Sequence, residues 1–139
     1  MRLAASLRYS LYAMTAVLFG SGAAWLATRC LESWAPGPQS WAAVSMRIHG
    51  AAAMAVLAIA GGAVALHVTS AWPEGKNRAS GLALGTVLIV MTVTGYCLYY
   101  TGGESPRAFA SLSHWILGLA LPLFFAAHAW LGRKSGRRC

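Results

Sequence analysis

Four histidines, at positions 49, 67, 114 and 128, stand inside long uncharged stretches of this 139-residue chain. A neutral imidazole is a proton relay, a hydrogen-bonding group or an axial ligand to a metal or to haem iron. Ionisable side chains at membrane depth are rare and count as functional by default. One of them could serve only as a helix-to-helix hydrogen-bonding group; four of four, grouped two and two, ask for a ligand. From His49 to His67 is 18 positions, five whole turns at about 100° per residue, so both rings leave one helix face about 27 Å apart. From His114 to His128 is 14 positions, about 40° short of four turns and about 21 Å along the axis. Each pair therefore shares a face.

The elements that must position these rings are written in the charges. Hydrophobic residues make up 58% of the chain, against 11 Lys and Arg and 3 Asp and Glu. Uncharged runs of 20, 26, 25 and 25 residues separate Arg8 from Arg29, Arg47 from Glu74, Arg78 from Glu104 and Arg107 from Arg133. Each reaches the roughly 20 residues that cross a hydrocarbon core as a helix. The expected spans are 9–28, 46–71, 79–100 and 107–131, forming one transmembrane domain over 1–139 with no aqueous domain left to place. Trp34, Pro36, Gly37, Pro38 and Trp41 form an outer loop, Glu74 to Asn77 a short inner turn, and Thr101 to Pro106 a tight outer connection. Short connections make neighbours antiparallel, so the predicted fold is all-α, an integral membrane four-helix up-down-up-down bundle.

Net charge is +8, yet nothing clusters as a nucleic-acid site requires. Four spans put Arg2, Arg8, Lys76, Arg78, Arg133, Lys134, Arg137 and Arg138 on one side and Arg29, Arg47 and Arg107 on the other. Positive charge favours the cytoplasmic side, which places both termini there. The run after Arg8 is longer than the apolar core of a signal peptide and reads as a retained helix.

In such a bundle the second and fourth helices run parallel. His49 and His114 then lie near the outer surface, His67 and His128 near the inner one, and each couple can hold a haem b iron between two imidazoles. The axial rises differ by about 6 Å, which calls for tilt or a kink, and Pro122 is a kink site. From Gly50 to Ala65, 11 of 16 residues are Ala or Gly, with Ala53, Val56, Ala60 and Ala63 on the histidine side. Small residues let a macrocycle approach, and equally let helices pack in lipid. Phe125 lies on the histidine face of span four. The haem propionates need cations near the surfaces: Arg47 and Arg107 outside, Lys76, Arg78 and Arg133 inside. The same residues also suit the role of helix-end anchors.

Arg47-Ile48-His49-Gly50, His67, Thr94-Gly95-Tyr96 with Tyr99-Tyr100, and the His114 to His128 spacing resemble the small four-helix di-haem b-type cytochromes of bacterial membranes. These include cytochrome b-561-like proteins and the cytochrome b subunits of membrane-bound formate dehydrogenases and hydrogenases. The resemblance covers nearly the whole chain. It implies two bis-histidine b haems in a bacterial inner membrane. It also implies electron relay between the quinone pool and a redox partner, either a subunit of a larger hetero-oligomeric complex or a soluble cytochrome. On that reading the chain is an electron-transfer subunit of an oxidoreductase rather than a free-standing catalyst. Two departures stand: span one carries no histidine, unlike the formate-dehydrogenase type, and the span-two spacing is longer than in the respiratory cytochrome b. Tyr99, Tyr100, Trp41, Ser45 and Trp115 are at the outer edge, as a quinone lining or as an interfacial aromatic belt.

Other classes fit less of the sequence. No Cys-x-x-Cys-His is present for covalent haem, and Cys30, Cys97 and Cys139 include no Cys-x-x-Cys for thiol exchange, although Cys30 and Cys97 are both on the outer side. A small proton-coupled transporter would carry a membrane-embedded carboxylate, whereas Glu32, Glu74 and Glu104 all fall in connections and there is no Asp. A purely structural membrane subunit leaves the histidines unexplained.

Overall fold

The computed structural model describes residues 4–31, 39–73, 75 and 77–135. Among them are α1 (Ala5–Leu31), α2 (Gln39–Ala63), a π-helical turn (Val64–Val68), the short α3 (Thr69–Ala71), α4 (Arg78–Tyr100) and α5 (Glu104–Ser135), and no strand. The fold is all-α, as the uncharged runs predict. Four helical stretches, Ala5–Leu31, Trp41–Val68, Arg78–Tyr100 and Glu104–Ser135, are each long and apolar enough to cross a membrane. The chain is therefore a multi-pass membrane protein by the length and composition of its helices. At 1.5 Å per residue the 32 residues of α5 extend about 48 Å, longer than a hydrocarbon core of about 30 Å.

Two compact units divide at residue 74: Met1–Glu74, built on α1 and α2, and Gly75–Cys139, built on α4 and α5. Each is an antiparallel hairpin. Ala52 and Val56 are buried in the first; Val87, Ala110 and Leu121 are buried in the second. These inward residues are mostly small, because lipid is as apolar as leucine and helices associate through close packing rather than hydrophobic drive. Met54, Phe109 and Leu123 are more than 70% exposed. In water, so many bare apolar side chains would far exceed the few hundred Å² a soluble surface tolerates; in a bilayer they face their proper solvent.

The helices run further than the uncharged stretches. Trp41, expected in the outer loop, lies in the first turns of α2. Glu104, Ser105 and Pro106, expected in a connection, open α5. The first turn of a helix has no intrahelical use for its N–H groups, so Pro106 costs no bond there, and the Glu104 carboxylate meets the positive end of the helix dipole. Gly103, with φ of 91°, makes the reversal just before it. At the other end of α4, Gly75 (φ 70°) and Asn77 (φ 60°) take left-handed conformations in the turn that starts the helix. Asn is among the few side-chain-bearing residues that accept this region readily. The Ser135 hydroxyl donates to Asn77 Oδ1 at 3.0 Å, fastening the end of α5 to the start of α4.

The π-turn is the largest departure from expectation. The Thr69 N–H reaches Val64 O instead of Ala65 O. Ala65 O receives the Thr69 hydroxyl at 2.6 Å, and Leu66 O the Ser70 hydroxyl at 2.8 Å. In lipid a carbonyl without a donor costs several kcal/mol, so hydroxyls that fold back onto the helix make the irregular turn tolerable. Helix α5, by contrast, continues through Pro122. Glu32, Trp34, Pro36, Gly37, Pro38, Glu74, Lys76, Arg2, Arg137, Arg138 and Cys139 lie outside the described residues.

Candidate functional site

His49, on α2, turns toward α1. Its Nδ1 lies 3.0 Å from Leu18 O and 3.3 Å from Ser21 Oγ. A carbonyl can only accept, so the Leu18 contact requires a proton on Nδ1. The ring fits because Gly22 stands beneath it: a Cβ there would come within 2.9 Å of Cε1 and 3.1 Å of Nδ1. Ser21 is itself buried, 9% exposed, at the centre of this contact.

The second hairpin repeats the device twice. His114 Nδ1 lies 3.0 Å from Thr94 Oγ1, and His128 Nδ1 lies 3.0 Å from Ser80 Oγ. Gly95 follows Thr94 and Gly81 follows Ser80; a Cβ at these positions would stand 3.2 Å from His114 Cε1 and 3.5 Å from His128 Cε1. Fourteen positions separate His114 from His128, and fourteen separate Ser80 from Thr94. Equal steps in opposite directions keep an antiparallel pair in register, so each imidazole meets a hydroxyl and a glycine at the same relative place.

His67 differs. It is half-buried within the π-turn, and no hydrogen bond to its ring is present among the described residues. A π-turn winds through less angle per residue than an α-helix. The common face inferred for His49 and His67 assumed uniform α-winding over all 18 positions and does not carry through the turn.

Of the other candidates, Arg47 is exposed about half a turn before His49, Arg107 is exposed in the opening turns of α5, and Arg78 is exposed as the first residue of α4, about half a turn before Ser80. Tyr99 and Tyr100 are 77% and 73% exposed, Trp41 65%. Tyr96, rather than Tyr99, stacks on Tyr100, with ring centroids 4.3 Å apart. Trp115 is exposed, and Ser45 and Phe125 are half-buried. Arg8 over Tyr9, Arg29 over Trp25 and Lys134 over Trp130, at 5.1, 5.9 and 5.1 Å, put cation–aromatic pairs toward helix ends, where interfacial anchors belong. Cys30 is exposed and Cys97 half-buried, both as thiols.

The donor set suits an axial haem ligand. Haem iron asks each protein side chain for one neutral imidazole nitrogen and takes its other four donors from the porphyrin, so isolated histidines suffice. A bare ion would need more donors in one place, and no group of three or more His, Cys, Asp or Glu is present among the described residues. A ring held at Nδ1 presents Nε2 as the coordinating atom, the arrangement usual for metal-bound histidine. Sequence reasoning identified the four rings but passed over Ser21, Gly22, Ser80 and Gly81, and noticed Thr94-Gly95 only as part of a resemblance. The available signal was a Ser/Thr-Gly pair in a helix interior, repeated at the histidine spacing. Comparison with protein-family models, with curated proteins and with solved structures gives no match to this chain.

Proposed function

We propose that the protein is a membrane cytochrome b, with His49, His67, His114 and His128 as axial ligands of two b haems. The observation that carries this reading is the repeated seat: three imidazoles inside spans of membrane-crossing length, each set against a glycine and held at Nδ1 by the neighbouring helix. On this reading the ligands pair by membrane level alone, His49 with His114 near one surface and His67 with His128 near the other, and the π-turn changes the direction that His67 takes. Arg47, Arg107 and Arg78 are the cations available to the propionates. When bound, haem supplies reversible one-electron chemistry, and two imidazoles per iron leave no open position for oxygen. The chain itself holds the rings in orientation, excludes water with its apolar spans and presents little mass outside the bilayer.

On this reading electrons pass between a quinone in the bilayer and a redox partner at one surface, the chain serving as a subunit of a larger oxidoreductase. Both termini are then cytoplasmic, as the Lys and Arg bias favours, and the resemblance adds a bacterial inner membrane as the location. One observation favours a second reading. Each seated histidine bonds to the helix of its own hairpin, which is also what a purely structural helix-to-helix hydrogen bond would do.

Purified protein separates the two. A dithionite-reduced minus oxidised spectrum shows haem b on the first reading, with a pyridine haemochrome ratio of two per chain. His49→Ala and His114→Ala each remove one haem, and the double variant still retains the other. His49→Ala with His67→Ala removes both. A haem-free wild type, or two haems retained in every single variant, rejects the cytochrome.

A further inference from the structure

The hydroxyls opposite the histidines are already committed. The Thr94 hydroxyl lies 2.8 Å from Val90 O and 3.2 Å from Met91 O, on its own helix. The Ser21 hydroxyl lies 2.7 Å from Val17 O and 3.1 Å from Leu18 O, and the Ser80 hydroxyl 3.1 Å from Asn77 O. A hydroxyl has one proton, and a backbone carbonyl can only accept it. With that proton on the helix backbone, the oxygen offers the imidazole lone pairs alone. With the hydroxyl protons so placed, the hydrogen of each Nδ1···O contact comes from the ring.

We infer that Ser80 and Thr94, with Ser21 and Leu18 O in the first hairpin, are positioning residues that hold His128, His114 and His49 as the Nδ1–H tautomer, so that the lone pair available for iron lies on Nε2. The three glycines act with them. Gly22, Gly81 and Gly95 let the Cε1–Nδ1 edge of each ring reach the neighbouring helix, which directs that edge, rather than Nε2, at the backbone. An imidazole that donates from Nδ1 to a fixed oxygen is a more basic ligand at Nε2. A more basic ligand stabilises ferric over ferrous iron, so these hydroxyls lower the potential of the haem they serve. The tautomer follows from the chain alone; its effect on iron rests on the cytochrome reading.

The test begins without haem. Full-length protein labelled with ¹⁵N-histidine, in detergent at a pH where imidazole is neutral, reports the protonated nitrogen of each ring by NMR. Expected are Nδ1–H signatures for His49, His114 and His128. Thr94→Val moves only His114 toward the Nε2–H form, Ser80→Ala moves only His128, and Thr94→Ser leaves the wild-type pattern. Nε2–H rings in the wild type, or rings unmoved by both substitutions, overturn the inference.

The haem-loaded protein then gives the second readout. Thr94→Val raises the midpoint potential of the His114 haem and weakens its retention about 10–100-fold, and Thr94→Ser restores both. An unchanged potential in Thr94→Val and Ser80→Ala alike overturns the tuning role. Should no haem bind while the Nδ1–H pattern holds, the cytochrome reading fails and the tautomer assignment stands. Haem binding to rings that are Nε2–H in the unloaded protein is the reverse result.

Discussion

The two hairpins solve one problem with different materials. In the second, both histidines rest on the same device, a back-bonded hydroxyl followed by glycine, at equal spacing on α4 and α5. In the first, His49 has a doubled version, with a backbone carbonyl beside the hydroxyl and a tighter glycine. His67 has a π-turn instead of a seat. Regular winding preserves register and lets a motif repeat; an irregular turn re-aims one side chain and gives up the repeat. In the second hairpin the rings are held by the neighbouring helix, whereas in the first one ring is held that way and the other stands in an irregular turn of its own helix.

The largest effects within this comparison belong to the glycines, whose clearances form a graded series. Alanine at position 22 puts a Cβ 2.9 Å from the His49 ring, closer than real contacts allow; at 95 the distance is 3.2 Å and at 81 it is 3.5 Å, an ordinary contact. Overpacking of this kind costs about 1–3 kcal/mol where neighbours cannot give way. Gly22→Ala should destabilise most, Gly95→Ala less, and Gly81→Ala little, as read by thermal unfolding in detergent. Because His49 would be pushed off Leu18 O, Gly22→Ala should, on the cytochrome reading, also lower haem content. Equal losses at all three positions would mean that the ring contacts do not set the helix separation.

How much of this was legible follows from what each feature depends on. Spans were readable because exclusion of charge from lipid acts on every residue of a run. Their ends were not. Trp41 and Glu104 to Pro106 are compatible with a loop by composition, and the tolerance of a first helical turn for proline and carboxylate is what admits Glu104 to Pro106 to α5. The histidines stood out because an imidazole in an apolar run has few explanations. Their seats were visible in principle. Of five Ser/Thr-Gly dipeptides in the sequence, Thr101-Gly102 follows the end of α4, and the serine of Ser135-Gly136 is the last residue of α5. The other three are inside helices, and every one meets a histidine. The π-turn had no local signature, since Val, Ala and Leu around His67 suit uniform α-helix equally well; only the Thr69 hydroxyl, a donor for the carbonyl of Ala65 that the turn deprives of the Thr69 N–H, is a specific trace of it.

That trace gives a prediction of middle size. Thr69→Val keeps shape and removes the hydroxyl that satisfies Ala65 O. Loss of one net hydrogen bond costs about 0.5–1.5 kcal/mol, and more where the carbonyl has no water to turn to. If the π-turn exists to aim His67, Thr69→Val should speed amide exchange between residues 64 and 69 and, on the cytochrome reading, disturb the haem assigned to His67 while leaving the one assigned to His49 unchanged. Wild-type exchange and an unaltered spectrum would show that the turn is maintained by something other than this hydroxyl.

The smallest expected effect discriminates most sharply between the hairpins. Thr94 and Ser80 are the hydroxyl acceptors for His114 and His128, whereas Ser21 shares His49 with Leu18 O, which is nearer, at 3.0 Å against 3.3 Å. Ser21→Ala removes the weaker acceptor and leaves a carbonyl that no side-chain substitution can take away. His49 should keep its proton on Nδ1 and, on the cytochrome reading, the potential of the haem it ligates should stay close to the wild-type value while Thr94→Val shifts that of the His114 haem. A shift in Ser21→Ala as large as that in Thr94→Val would mean that the serine oxygen, not the backbone, carries the His49 bond. The two hairpins would then share one device, not two.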